Sequence, residues 1–185
     1  AQVLTLNNSW TLEPRAGIKW QFSPKSSFAL AYGLHSRMEK MDVYFVKTQG
    51  TGDRSVNKDL GFTRAHHVML SYGFKVSDNM NMKIEPYFQQ LYDVPVISDS
   101  SYSVLNRRDF YVENALVNRG KGRNIGVDIT LERYLNKGLY YMVTASIFDS
   151  KYYGGDRKWR NTLYNRNFIV NVLGGKEWMV GRDRQ

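Results

Sequence analysis

Seven stretches of this 185-residue chain alternate apolar and polar side chains with a period of two, the mark of strands that have one dry face and one wet face. The first, about residues 10–22, sets Trp10, Leu12, Pro14, Ala16, Ile18, Trp20 and Phe22 against Thr11, Glu13, Arg15, Gly17, Lys19 and Gln21. The second, 27–35, offers Phe28, Leu30, Tyr32 and Leu34 against small residues. The third, about 65–75, has Val68, Leu70, Tyr72 and Phe74 on one side, and the fourth has Met82, Ile84, Pro86 and Phe88. The fifth, about 123–134, opposes Ile125, Val127, Ile129 and Leu131 to Asn124, Gly126, Asp128, Thr130 and Glu132. The sixth, 139–149, carries Leu139, Tyr141, Val143, Ala145 and Ile147. The seventh, about 165–178, is the loosest, with Phe168, Val170 and Val172.

Period two alone fits a soluble sandwich as well as a barrel. Length and connections separate them. Several stretches run to 10–14 residues, whereas soluble strands average about 5–6 and a tilted membrane strand needs about 9–11. Short turns at 23–26, 76–79 and 135–138 hold the Pro, Asn, Asp and Gly that tight turns use. Long segments lie between them, at about 36–63, 95–121 and 150–164. That short-long rhythm is the habit of outer-membrane barrels, with brief turns at one end and extended loops at the other. The expected fold is therefore all-β, an antiparallel up-and-down meander of about seven long strands. Glu13, Arg15, Lys19, Lys83, Glu85, Asp128 and Glu132 fall on the polar face, where an aqueous lumen tolerates them. Pro14 and Pro86 each remove a ladder donor, so local irregularity is expected at both.

Composition changes the picture little. Aromatics are 14%, mean hydropathy is −0.50, and no window approaches the roughly 18 consecutive apolar residues of a spanning helix. The chain has no cysteine, which removes disulfides and thiolate chemistry. The net charge of +9 is spread over turns and loops with no dense basic run, so no nucleic-acid partner is expected. His66 and His67 are adjacent and point to opposite faces, so they do not share a metal, and no metal or other cofactor is expected. The Gly154-Gly155 stretch lacks the spacing of a phosphate loop. Nothing offers the cleft and paired groups of a catalyst, so no enzyme is expected. Residues 1–10 show no charged-then-apolar signal segment. Loop 150–164 gathers Tyr152, Tyr153, Trp159 and Arg160, candidate ligand contacts through stacking and charge; the competing reading puts those rings in an interfacial girdle.

Several runs resemble a known family: Leu12-Glu13-Pro14-Arg15-Ala16-Gly17-Ile18, Phe28 to Ser36, Asn57 to Phe62, Tyr92-Asp93-Val94-Pro95-Val96, Gly120 to Asp128, and Val170 to Glu177. They are similar to TonB-dependent outer-membrane receptors, of the Bacteroidetes-type branch that carries a carboxypeptidase-regulatory-like domain ahead of its plug. The resemblance implies that 1–185 is the middle-to-late part of a 22-stranded transmembrane β-barrel, with the plug, the TonB box and the closing strands outside it. It implies residence in the outer membrane of a Gram-negative bacterium and TonB-energised uptake of a bulky solute, such as an iron chelate, a cobalamin or an oligosaccharide. The partners it implies are outer-membrane lipid, the receptor's own plug, TonB, the imported solute and a capping surface lipoprotein. Two rivals remain at this point, a soluble β-sandwich binding module and an enzyme built into a barrel. Detergent dependence separates the sandwich from the other two.

Overall fold

Each alternating stretch becomes a strand, and the strands pair in chain order. The computed structural model describes residues 10–48, 55–107, 112–178 and 181; parts of the first two long segments and both chain ends, including residues 1–9, lie outside them. The strands are β1 (Arg15–Ser23), β2 (Ser26–Arg37), β3 (Thr63–Ser77), β4 (Met80–Val96), β5 (Val117–Asn136), β6 (Leu139–Tyr153), β7 (Trp159–Asn161) and β8 (Phe168–Lys176). They form one eight-stranded antiparallel sheet in which β1 to β6 follow one another and both β7 and β8 pair with β6. The seventh position is thus filled twice, by β7 against the upper part of β6 and by β8 against the lower part. The sheet is open. Among the described residues β1 pairs only with β2 and β8 only with β6, so two edges are left unpaired.

Three two-residue turns close one end, Pro24-Lys25, Asp78-Asn79 and Lys137-Gly138. At the third, both residues have positive φ, 52° at Lys137 and 78° at Gly138. That is the type I′ geometry whose twist matches the flanking strands.

The strands outrun the alternation at the other end. β4 has 17 residues and β5 has 20, so the fourth stretch runs on to Val96 and the fifth begins at Val117. The expected loop 150–164 holds the end of β6 and all of β7. These extensions do not alternate cleanly, and loop segments pack against them at this end. The first strand is instead shorter than its pattern, starting at Arg15 rather than Trp10. Pro14 has no N–H to give, yet its carbonyl accepts from Leu34 N at 2.9 Å, and Glu13 takes the backbone N–H and the hydroxyl of Ser36. At Pro86 the β3–β4 ladder passes from Met69↔Tyr87 to Tyr72↔Ile84 without the pairs between, and the register is unchanged.

Gly138 tests the turn directly. A Cβ there would stand 2.4 Å from Glu177 O, and its φ is unfavourable for an L side chain. Gly138→Ala is expected to cost about 1–3 kcal/mol, read as a lower urea midpoint of the folded protein. Lys137→Asn, which suits positive φ better, is expected to raise that midpoint.

Candidate functional site

Register turns one-dimensional alternation into a two-dimensional belt. Trp20, Phe28, Tyr72, Ile84, Ile129, Ala145 and Val170 stand in one row across every long strand. A neighbouring row contains Pro86, Val127, Ile147 and Phe168. Nothing among the described residues covers this face. Ile18 is 67% exposed, Ile147 61% and Val172 73%. Leu12 and Phe28 are also exposed, while Val68, Ile84 and Val127 are half-buried between neighbouring strands and do not meet in a common core.

The belt has limits that can be read on β5. Its outward side runs Arg123, Ile125, Val127, Ile129, Leu131, Arg133, so the two arginines bracket four apolar residues. From one arginine to the other is about 33 Å along the strand at about 3.3 Å per residue, or about 25 Å in height at a tilt of about 40°, the height of the apolar band of an outer-membrane barrel. Aromatic rings gather near both limits. At the turn end Trp20 lies 5.5 Å from Phe22, and Phe22 stacks on Tyr72 at 6.3 Å. At the loop end His66 lies 6.1 Å from Tyr32 and 5.2 Å from Tyr92, and Tyr153 lies 5.4 Å from Trp159. Rings with one wet and one dry end favour this level of a membrane.

The opposite face is polar. Glu85 pairs across with Asp128, and Lys83 Nζ sits 2.8 Å from Glu85 Oε2. Asn124 donates to Gln89 at 2.7 Å, Ser150 donates to Asn124 at 2.7 Å, and Thr162 donates to Ser150 at 3.0 Å. This chain of hydrogen bonds crosses three strands. Nearer the turns, Lys19, Lys25, Lys75, Lys83 and Glu132 line an open trough of about 400 Å³. Register also brings His35 beside His67 on this face, 6.3 Å ring to ring, a pairing that separate strands hide in the sequence. Among the described residues no three His, Cys, Asp or Glu side chains group to hold a metal.

Above the loop-side limit the long segments pack on one another. Val43, Tyr44, Val46, Leu60, Val112 and Leu116 form the buried core of the chain, and a one-turn helix α1 (Met41–Tyr44) supplies two of them. Burial pushes the Tyr44 hydroxyl above its usual pKa. Asn57, 1% exposed, ties the two segments together: its Nδ2 donates to Asn114 O at 3.0 Å and its Oδ1 accepts from Leu116 N at 2.8 Å. The third segment joins at Gly154 and Gly155. A Cβ on Gly155 would stand 1.9 Å from Ile97 O, so only glycine permits that approach. Leu105 packs over Gly122 on the polar face, so the roof leans inward.

The four ligand candidates divide between the faces. Tyr152 pairs with Arg160, and Tyr153 with Trp159, across the short β6–β7 ladder. Tyr153 and Trp159 therefore look outward with the belt, whereas Tyr152 and Arg160 take the opposite side. Tyr152 is 5% exposed. Arg160 grips Asp156 through both nitrogens, at 2.9 and 2.5 Å, and that guanidinium holds the Asp156 carboxyl below its ordinary pKa of 3.8. Sequence reasoning did not find the roof core, whose residues obey no simple period. It also passed over the outward Arg123 and Arg133, although both share parity with Ile125 and Leu131.

No protein-family model matches the chain, and no curated protein matches it. Ten chains of solved structures do. Among them is the FrpB iron transporter from Neisseria meningitidis (F3-3 variant), 18% identical, with a TM-score of 0.57 over 80% of this chain and 21% of that one. The chain thus spans about a fifth of that transporter's length, and at this identity the likeness is one of fold.

Two outcomes follow for the roof. Asn57→Ala leaves a buried N–H and C=O without partners and is expected to cost about 1–3 kcal/mol, read as faster proteolysis within 97–116. The Asp156–Arg160 clamp involves a carboxyl with a lowered folded pKa, so its contribution is complete above the ordinary value of 3.8 and is lost as pH falls through the folded value. Hydrogen exchange of residues 154–160, corrected for intrinsic rates, is expected to accelerate only in that acid range, and Asp156→Asn to abolish the transition.

Proposed function

We propose that this chain is a wall sector of a transmembrane β-barrel receptor in the outer membrane of a Gram-negative bacterium, admitting a bulky solute by TonB-energised uptake. The belt carries the reading. A face about 25 Å high, apolar across every long strand and bounded by arginines on β5, matches the hydrocarbon layer of a bilayer. A soluble sandwich requires a second sheet on that face, and among the described residues none lies there. The two open edges support a sector of a larger barrel, since unpaired edges of this length invite further strands. The fold likeness to part of a solved iron transporter points the same way.

In this reading the polar face looks into the lumen, its lysine trough meeting the receptor's own plug, and the roof shapes the mouth through which the solute enters. An iron chelate, a cobalamin or an oligosaccharide is the class of cargo. Of the four aromatic and cationic candidates, Arg160 and Tyr152 belong to the mouth and Tyr153 and Trp159 to the membrane girdle. The chain's work is selective passage and makes or breaks no bond in the cargo.

Because the protein has no cysteine, single labels can be placed cleanly. In the full receptor reconstituted in vesicles, nitroxides on Ile84→Cys and Ile129→Cys are expected to collide with dissolved oxygen and to be shielded from a water-soluble nickel chelate. Labels on Lys83→Cys and Thr130→Cys are expected to lack the oxygen-rich signature. Equal accessibility of adjacent positions would sink the membrane assignment.

A further inference from the structure

Just above the belt on the loop side, the outward face turns basic. Arg123 and Lys151 are cross-strand partners, and Lys121 and Tyr153 are the next outward pair. β7 adds Trp159 and Asn161, and a recess of about 500 Å³ opens between Arg123, Lys151, Trp159, Arg160 and Asn161. The Arg123 guanidinium lies 5.6 Å over the Trp159 ring, and Lys121 Nζ lies 6.0 Å over the Tyr153 ring. Among the described residues Asp149 is the carboxylate paired with this group. It sits 3.1 Å from Lys151 Nζ and 4.0 Å from Arg123, and accepts from Asn165 at 3.0 Å. Three cations against one anion leave a net charge of +2. Arg123 Nε is buried with no hydrogen-bond partner among the described residues, and so is Arg64 Nε on the same face two strands away.

We propose that this recess binds the phosphate of a phosphorylated glycolipid in the outer leaflet, an inference that rests on the membrane-barrel reading above. Three observations converge on that ligand. The first is height: Arg123 stands one outward step above Ile125, about 5 Å higher at about 3.3 Å per residue and a tilt of about 40°, where headgroups begin. The second is chemistry. The Arg123 side chain is 42% exposed, so the accessible edge of its guanidinium can take a phosphate oxygen, Lys151 adds a point charge, and Trp159 offers a flat ring to a sugar. The third separates a lipid from a free anion. One outward step below Arg123 the exposed side chain of Ile125 begins the apolar belt, with Ile147 beyond Asp149 on β6, a surface for acyl chains and of no use to a dissolved ion. Arg160 takes no part, since Asp156 already holds it.

The test uses the full receptor in detergent, with its thermal midpoint followed against bis-phosphorylated lipid A, the same lipid dephosphorylated, and inorganic phosphate. The phosphorylated lipid is expected to raise the midpoint and the other two to leave it unchanged. Arg123→Gln with Lys151→Gln is expected to weaken lipid binding by about tenfold or more, as loss of charge-assisted hydrogen bonds does. Equal stabilisation by both lipids, or undiminished binding by the double variant, overturns the site, and an equal effect of inorganic phosphate overturns the lipid assignment. The nitroxide on Ile84→Cys keeps the two readings apart. If it reports hydrocarbon while the lipid arms fail, only the phosphate site falls; if it reports water, the barrel reading falls with it.

Discussion

A strand cannot turn one side chain outward without turning its neighbours inward, and antiparallel register carries that constraint from strand to strand. Once Ile84 faces one medium, Tyr72 and Ile129 beside it must face the same one, and Lys83 and Thr130 must face the other. Everything else in this chain is arranged around that coupling. The apolar rows are continuous because one-residue slips would mix the two faces. The charges of the belt face collect at its limits because a cation near the midplane costs about 2–4 kcal/mol. The tight turns are short because they need only reverse the chain where the belt ends.

Where two media impose the pattern, the sequence was easy to read. The belt parts of all seven long strands and the three tight turns follow from parity and from residues such as Pro24, Asn79 and Gly138. Above the belt both sides of the sheet meet water or packed loops, and parity lost its meaning. That is why the strand ends at Val96 and Val117 were read as loop, and why β7 was missed altogether. The roof was opaque for a different reason. Val43, Leu60 and Leu116 are far apart in sequence and become neighbours only after β2 to β5 have set the spacing of their loops.

The candidate site shows the same division. Loop 150–164 drew attention by its rings and cations, but composition cannot say which face a residue occupies. The β6–β7 ladder supplies that, dealing Tyr153 and Trp159 to one side and Tyr152 and Arg160 to the other. The outward arginines were legible by parity alone, since Arg123 and Arg133 continue the odd-numbered run from Ile125 to Leu131. They mark where the apolar belt stops.

The wall and the roof differ in what must be in place before each can form. From β1 to β6 consecutive strands pair, and three of those pairs, β1–β2, β3–β4 and β5–β6, close through two-residue turns, the connections that cost least chain entropy. The roof depends on bonds such as Leu116 N to Asn57 Oδ1 and Leu163 N to Asn106 Oδ1, which join residues separated by 59 and 57 positions. Those links wait until the intervening strands are seated. The loop-side roof therefore rests on the sheet rather than the reverse, and takes its shape only where the strands beneath it have already been brought side by side.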